Sequence, residues 1–343
     1  MLKIIQSRIT RTVAAAILVS LLAACASIPK QNLDSYVANF NTAKATAQDI
    51  YLAAQVQAEK TGGDSNVDRV ERGKRVAAAQ ARLAALDLID QYNSALVKLA
   101  MGTDAAGVKG NLEGLSSGLK SFGVERISSL VTSAVPYLGI ISQAVTLIDN
   151  AIRAEHFAEA VAAAQRPIQE IIGILRQDAD NLHGIQRHVL EITFDQDLGN
   201  LIKLFARVRP VVNSLKVDDG VTAMVAGFNT SLARLDAKGV EKPDPVAHVP
   251  APNAKAATAD DLALMQALLN QGNALVDSIN QVGKKIQSHR GLIEEYKKVL
   301  AACSGSLEEL NAAVRDGTRV GTLAFAVNVM NLRKAYIEVR EAK

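Results

Sequence analysis

The chain has 343 residues, with 38 basic and 35 acidic side chains, no tryptophan and 4% aromatic residues. Residues 1–24 hold Lys3, Arg8 and Arg11 and no acid, so Cys25–Lys343 carries 35 charges of each sign. Such a balance lacks the basic footprint of a nucleic-acid binder. Abundant Ala, Leu, Val and Ile suit long, closely packed helices and suit sheet poorly.

The N-terminus carries the most specific signal. A basic opening leads into the apolar run Val13–Ala24, which ends Leu22-Ala23-Ala24-Cys25. Basic residues, an apolar stretch and small residues before a cut site are the layout of a secretory signal peptide. Twelve uncharged residues are too few for a spanning helix, which needs about 20. Leu-Ala-Ala-Cys resembles the lipobox of bacterial lipoprotein precursors. The resemblance implies a signal peptide over 1–24 cleaved before Cys25, diacylglycerol on the Cys25 thiol, and acylation of its new amino group, with palmitate among the chains. One acyl chain binds a bilayer marginally, whereas two or more hold firmly. Ala26 stands where some lipoproteins carry a retaining aspartate, so the same resemblance implies the cell outer membrane, facing the periplasm. Residues 25–31 form the lipidated tether, with the six residues after Cys25 reaching about 20 Å when extended.

Helix one reads from about Asn32 to Lys60, with Leu33, Val37, Phe40, Ala47, Ile50 and Ala54 on one face. Thr61–Asn66 is a turn cluster. Helix two reads from about Val67 to Met101, with Leu83, Leu86, Ile89, Leu96 and Ala100 inward, and the pair implies an antiparallel hairpin. Residues 102–123 hold six of the 22 glycines and read as a loop with short helical turns. Ile127–Ile148 is 22 residues without a charge. Its stripe of Ile127, Val131, Val135, Leu138, Ile141, Val145 and Ile148, with Ser, Thr and Gln largely off it, predicts a core helix interrupted by Pro136 rather than a span.

Further helix follows from Asn150 to Lys216, expected to kink or end at Pro167 and Pro210. A short helix runs from Val217 to Ala237. Four of the eight prolines then fall in 238–258, an expected extended, solvent-exposed linker. Thr258-Ala259-Asp260-Asp261 resembles a capping box and opens a helix to about Leu300. Met265, Leu268, Gly272, Leu275, Ile279, Val282, Ile286, His289, Ile293, Tyr296 and Leu300 step by threes and fours, a coiled-coil seam. Ser304-Gly305 is expected to turn the chain, and Ser306 to cap a last helix whose uncharged middle, Val320–Leu332, should be deeply buried.

Candidate chemistry is sparse. Asp180 and His183 have a carboxylate–histidine spacing, yet no Glu-x-x-His occurs, so no metal or other cofactor is expected. His188 lies off that face, Glu155, His156 and Glu159 read as a solvated face, and His289 sits in the seam. Lys284-Lys285 and Lys297-Lys298 read as a salt-bridged flank beside Glu294 and Glu295. Nucleophile motifs are read as absent, with no Gly-x-Ser-x-Gly elbow, no Gly-x-x-x-x-Gly-Lys loop and no Ser-x-x-Lys followed by its partner motifs. Cys303 remains the only thiol in an oxidising compartment, where an inert small residue at a helix end is expected.

These readings combine into an all-α fold, an elongated bundle of long antiparallel helices with coiled-coil-like packing. The expected organisation is a helical region over 32–237, the linker 238–258, and a helical hairpin over 259–343 packing on the first region. No catalytic residue is expected. The expected function is that of a non-catalytic envelope lipoprotein, held to the bilayer through Cys25, that presents a helical surface to a protein partner. The alternative is a membrane-active protein using 127–148, from an architectural resemblance to α-helical pore-forming toxins.

Overall fold

A computed structural model describes residues 30–60, 66–102, 104–131, 135–235, 243–316 and 323–341, and the chain is all-α. The signal peptide 1–24, Cys25, the tether up to residue 29, the turn at 61–65 and the first residues of the proline-rich segment lie outside the described residues. The helices are α1 Lys30–Lys60, α2 Asn66–Met101, α3 Ala105–Ser121, α4 Val124–Ser128 and α5 Val135–Arg153. They continue as α6 Phe157–Asn213, α7 Asp219–Ala233, α8 Ala259–Asp316 and α9 Leu323–Glu341. Contacts group the chain into two units. One runs up to Leu182 and resumes over Leu292–Ile337; the other is His183–Gly291 with Glu338–Lys343. The three divisions fall inside the helices α6, α8 and α9, whereas the sequence reading divides the chain at its proline-rich segment.

In the first unit, Leu33, Phe40, Ala47, Ile50 and Ala54 of α1 and Leu86, Ile89 and Leu96 of α2 are buried, as their spacing predicts. Tyr36 bonds Asn93, while Lys44 pairs with Asp90 and Asp87. Residue numbers rise on α1 as they fall on α2, so the two helices are antiparallel.

The glycine-rich stretch departs from expectation. It forms the 17-residue α3, opened by Asp104, whose carboxylate accepts from the Gly107 N–H at 3.0 Å. Val108, Leu112, Leu115 and Leu119 make a buried stripe, and burying it outweighs a helix penalty of about 1 kcal/mol per glycine. The glycines are not equivalent. A Cβ at Gly118 would lie 2.6 Å from Leu88 Cδ2 on α2, whereas one at Gly110 would meet nothing within 4 Å. Gly110→Ala should therefore raise stability by up to about 1 kcal/mol. Gly118→Val should lower it by about 1–3 kcal/mol through overpacking. Urea unfolding of the two variants checks both signs.

Residues 127–148 are divided rather than continuous. The helix α4 ends at Ser128, residues 129–131 turn, and α5 starts at Val135. Pro136 thus stands in a first helical turn, where its missing N–H costs nothing. Ile127, Leu130, Ile141, Ala144, Val145 and Ile148 are buried, while Ser142, Gln143 and Thr146 are exposed. The stripe faces α3, which α5 packs against. Among the described residues no helix is long and apolar enough to cross a membrane.

Further expectations fail on helix continuity. Neither Pro167 nor Pro210 ends its helix, since α6 runs through the first and reaches three residues past the second. Ser304-Gly305 does not turn the chain, and Ser306 caps nothing; α8 continues to Asp316 with Cys303, Ser306, Leu307 and Leu310 buried. One glycine is a small penalty against that run of core contacts. The last helix buries only one face, through Phe325, Val329 and Leu332, and leaves Val327 and Met330 exposed.

In the second unit, α6 and α8 are antiparallel: Asp197 accepts from Ser278, and Leu204 meets Gly272. The seam holds, with Met265, Leu268, Gly272, Ile279, Val282 and His289 buried and Leu275 and Ile286 half-buried. Thr258 and Asp261 form the reciprocal cap. The helix α7, capped by Asp218, closes the core with Val221, Phe228 and Leu232. Residues 243–258 are non-helical as expected but are not a free linker. Asn229 bonds both the N–H and the carbonyl of Val246, whose side chain is buried. Asn213 holds Val249 and Ala251, and Leu215 bridges Lys255 in parallel. Four prolines lower the entropy cost of fixing such a strap.

Candidate functional site

The densest polar chemistry lies in the core of the first unit. Arg82 of α2 and Asp178 of α6 are each 2% exposed and form a two-point ion pair, Nε–Oδ2 at 2.5 Å and Nη2–Oδ1 at 3.0 Å. Asn181, one turn on, donates to Asp178 Oδ1 at 3.0 Å. The Arg82 guanidinium stands 6.0 Å from the ring centre of Tyr51 of α1. Tyr51 in turn shares a hydroxyl–hydroxyl hydrogen bond with Tyr296 of α8, the rings edge to face. Burial drives both phenols well above their ordinary pKa, so neither ionises near neutrality. Four helices are thereby joined by one polar layer whose members satisfy one another.

Two smaller layers lie beyond it. Tyr36 donates to Asn93 and packs on Phe325 of α9, and Tyr92 donates to Asn311. Cys303 touches the Tyr36 hydroxyl, and burial pushes its thiol up to about 12 despite that contact. It is free and buried, within α8 rather than at a helix end. A cavity of about 20 Å³ beside it, lined by Ala43, Ala47, Leu86 and Phe325, is apolar. In protein whose Cys25 thiol is blocked by acylation, maleimide should leave Cys303 unmodified under native conditions and label it fully in denaturant. Mass spectrometry after timed quenching reads the difference.

The remaining sequence candidates separate. His156 pairs with Glu159 at 3.4 Å, both solvent-exposed, and Glu155 occupies a left-handed turn conformation, φ 61°. His188 is exposed. Asp180 binds Lys297, which also reaches Glu294, and Glu295 binds Lys298. Asp180 raises the Lys297 pKa. His183 and His289 do come together, Nδ1 to Nδ1 at 3.3 Å. Burial, reinforced by His183, lowers the His289 pKa to about 4.

One serine motif escapes the sequence reading. Gly114-Leu115-Ser116-Ser117-Gly118 has the Gly-x-Ser-x-Gly spacing. It lies within α3, not on the strand-to-helix turn that exposes such a nucleophile. Ser116 is buried and donates to Asp149 Oδ1 at 2.5 Å, while Lys120 holds Oδ2 at 2.8 Å. Lys120, then Ser116, depresses the Asp149 pKa, which makes it a poor base. The contact ties α3 to α5.

Set against models of protein families, curated proteins and solved structures, the chain matches none.

Proposed function

We propose that the chain is a non-catalytic envelope lipoprotein, anchored through acylated Cys25, whose helices form a rigid frame presenting a surface to a protein partner. The observation that carries the reading is the use of the core's polar groups. Arg82, Asp178, Tyr51 and Tyr296 are spent on one another, joining four helices instead of converging on a cleft. Interlocked buried polar groups rigidify a fold and fix a unique packing. The signal and lipobox pattern ending at Cys25 supports the anchor. By the resemblance already drawn, Ala26 supports an outer-membrane, periplasm-facing placement.

The test combines anchoring and capture in intact cells. Cys25→Ser should abolish fatty-acid labelling and release the chain from the membrane fraction. A photoreactive residue at exposed Met330 or Ile192 should yield a discrete adduct in anchored protein and lose it in Cys25→Ser. Fatty-acid label retained by Cys25→Ser removes the anchor, and adducts that do not depend on anchoring remove the partner reading.

A further inference from the structure

We propose that His183 and His289 form a two-coordinate site for a soft monovalent cation, Cu(I) or Ag(I). The two residues stand on facing helices of the second unit, and their Nδ1 atoms are 3.3 Å apart. The ring planes lie within 15° of parallel, but the ring centres are 5.6 Å apart. Rings stacked face to face cannot be that distant. The centres exceed the nitrogen separation by about two ring radii, so the imidazoles meet edge to edge with both nitrogens between them.

Each neutral imidazole carries one N–H and one lone pair. As the pair stands, one Nδ1–H donates to the other Nδ1. A cation entering that line replaces the shared proton. The Nδ1–H bond breaks, its proton is carried on Nε2 of the same ring, and two nitrogen–metal bonds form. No electron is transferred and both rings remain neutral. Metal–imidazole bonds of about 2 Å set along one line put the two nitrogens about 4 Å apart, so the rings must part by about 0.7 Å from their 3.3 Å separation.

The geometry also selects the cation. Two ring nitrogens facing each other along one line suit, once the shared proton has moved, the linear coordination of monovalent d10 ions, and imidazole is a good ligand for copper. Zinc takes four ligands in a tetrahedral array, and among the described residues no group of three or more candidate ligands occurs. His289 is buried in a seam beside Val282 and Ile286, where a divalent charge is costlier to desolvate than a monovalent one.

The experiment uses the acylated chain carrying Cys303→Ala, which removes the competing thiol. Ag(I) in air, and Cu(I) anaerobically with a reductant, are titrated by calorimetry against the parent, His183→Ala and His289→Ala. One cation per chain should bind the parent, and each single variant should weaken it at least 100-fold. X-ray absorption of the loaded parent should show two nitrogen neighbours and no sulfur, a readout that does not depend on the variants folding. Sulfur neighbours would assign the metal to methionine thioethers and overturn the proposal. So would binding that survives in both variants, or no binding of either cation to the parent.

Discussion

Asp178→Ala should lower the unfolding free energy by about 3–5 kcal/mol, because it strands the Arg82 guanidinium without its counter-charge. Both side chains are 2% exposed, so water cannot replace the lost carboxylate. The Tyr51 ring offers Arg82 only a cation–π contact, worth about 2 kcal/mol when desolvated. The double variant Arg82→Met with Asp178→Leu should recover most of the loss, since a buried pair replaced by apolar groups of similar size is often neutral or better. Urea unfolding of both singles and the double gives the coupling energy directly. A single loss below about 1 kcal/mol, or losses that add, would show that the pair does not hold the four helices together. The expected non-additivity is the stability counterpart of the rigid frame proposed for function.

Helix faces decided by hydrophobic spacing are legible in the sequence. The seam from Met265 to Leu300 and the α1 stripe from Leu33 to Ala54 turn largely inward, as their steps of three and four require. Helix breaks are not legible, because they are inferred from local penalties: about 1 kcal/mol for a glycine, about 3 for a helix-interior proline. Burial of Cys303, Leu307 and Leu310 overrides Gly305, and buried Ala164, Ile168, Ile171 and Leu175 flank Pro167. The loop expected at 102–123 fails for the same reason, since Gly114 faces Gln91 and Gly118 faces Leu88 on a neighbouring helix that no local pattern announces. Polar partners are the least legible. Arg82 and Asp178 are 96 residues apart, and Tyr51 and Tyr296 are 245 apart. Nothing in either residue's neighbourhood names its partner. His183 and His289 are each visible as candidates, but only the antiparallel register of α6 and α8 joins them.

Ile141→Asp should destabilise the fold by about 3 kcal/mol or more, and it separates the frame reading from the membrane-active alternative. Ile141 is 6% exposed on the face of α5 that also buries Val145 and Ile148, and α5 packs against α3 and α4. A carboxylate there meets this apolar stripe; the ion pair of the same helix, Asp149 with Lys120, stands towards its far end. Burying an unpaired charge in such a place is among the few single changes that exceed the usual range of about 0.5–3 kcal/mol. A segment kept in reserve for a membrane behaves differently. It contributes little to the stability of the folded chain, so Ile141→Asp would leave the thermal transition in place. The same charge would abolish release of dye from liposomes, because a carboxylate at bilayer depth costs several kcal/mol. Thermal melts and dye release on one pair of proteins therefore read the two outcomes independently. A lowered transition with a parent that leaves liposomes intact supports the frame; an unchanged transition with a parent that empties them, and a variant that does not, establishes the membrane-active function instead.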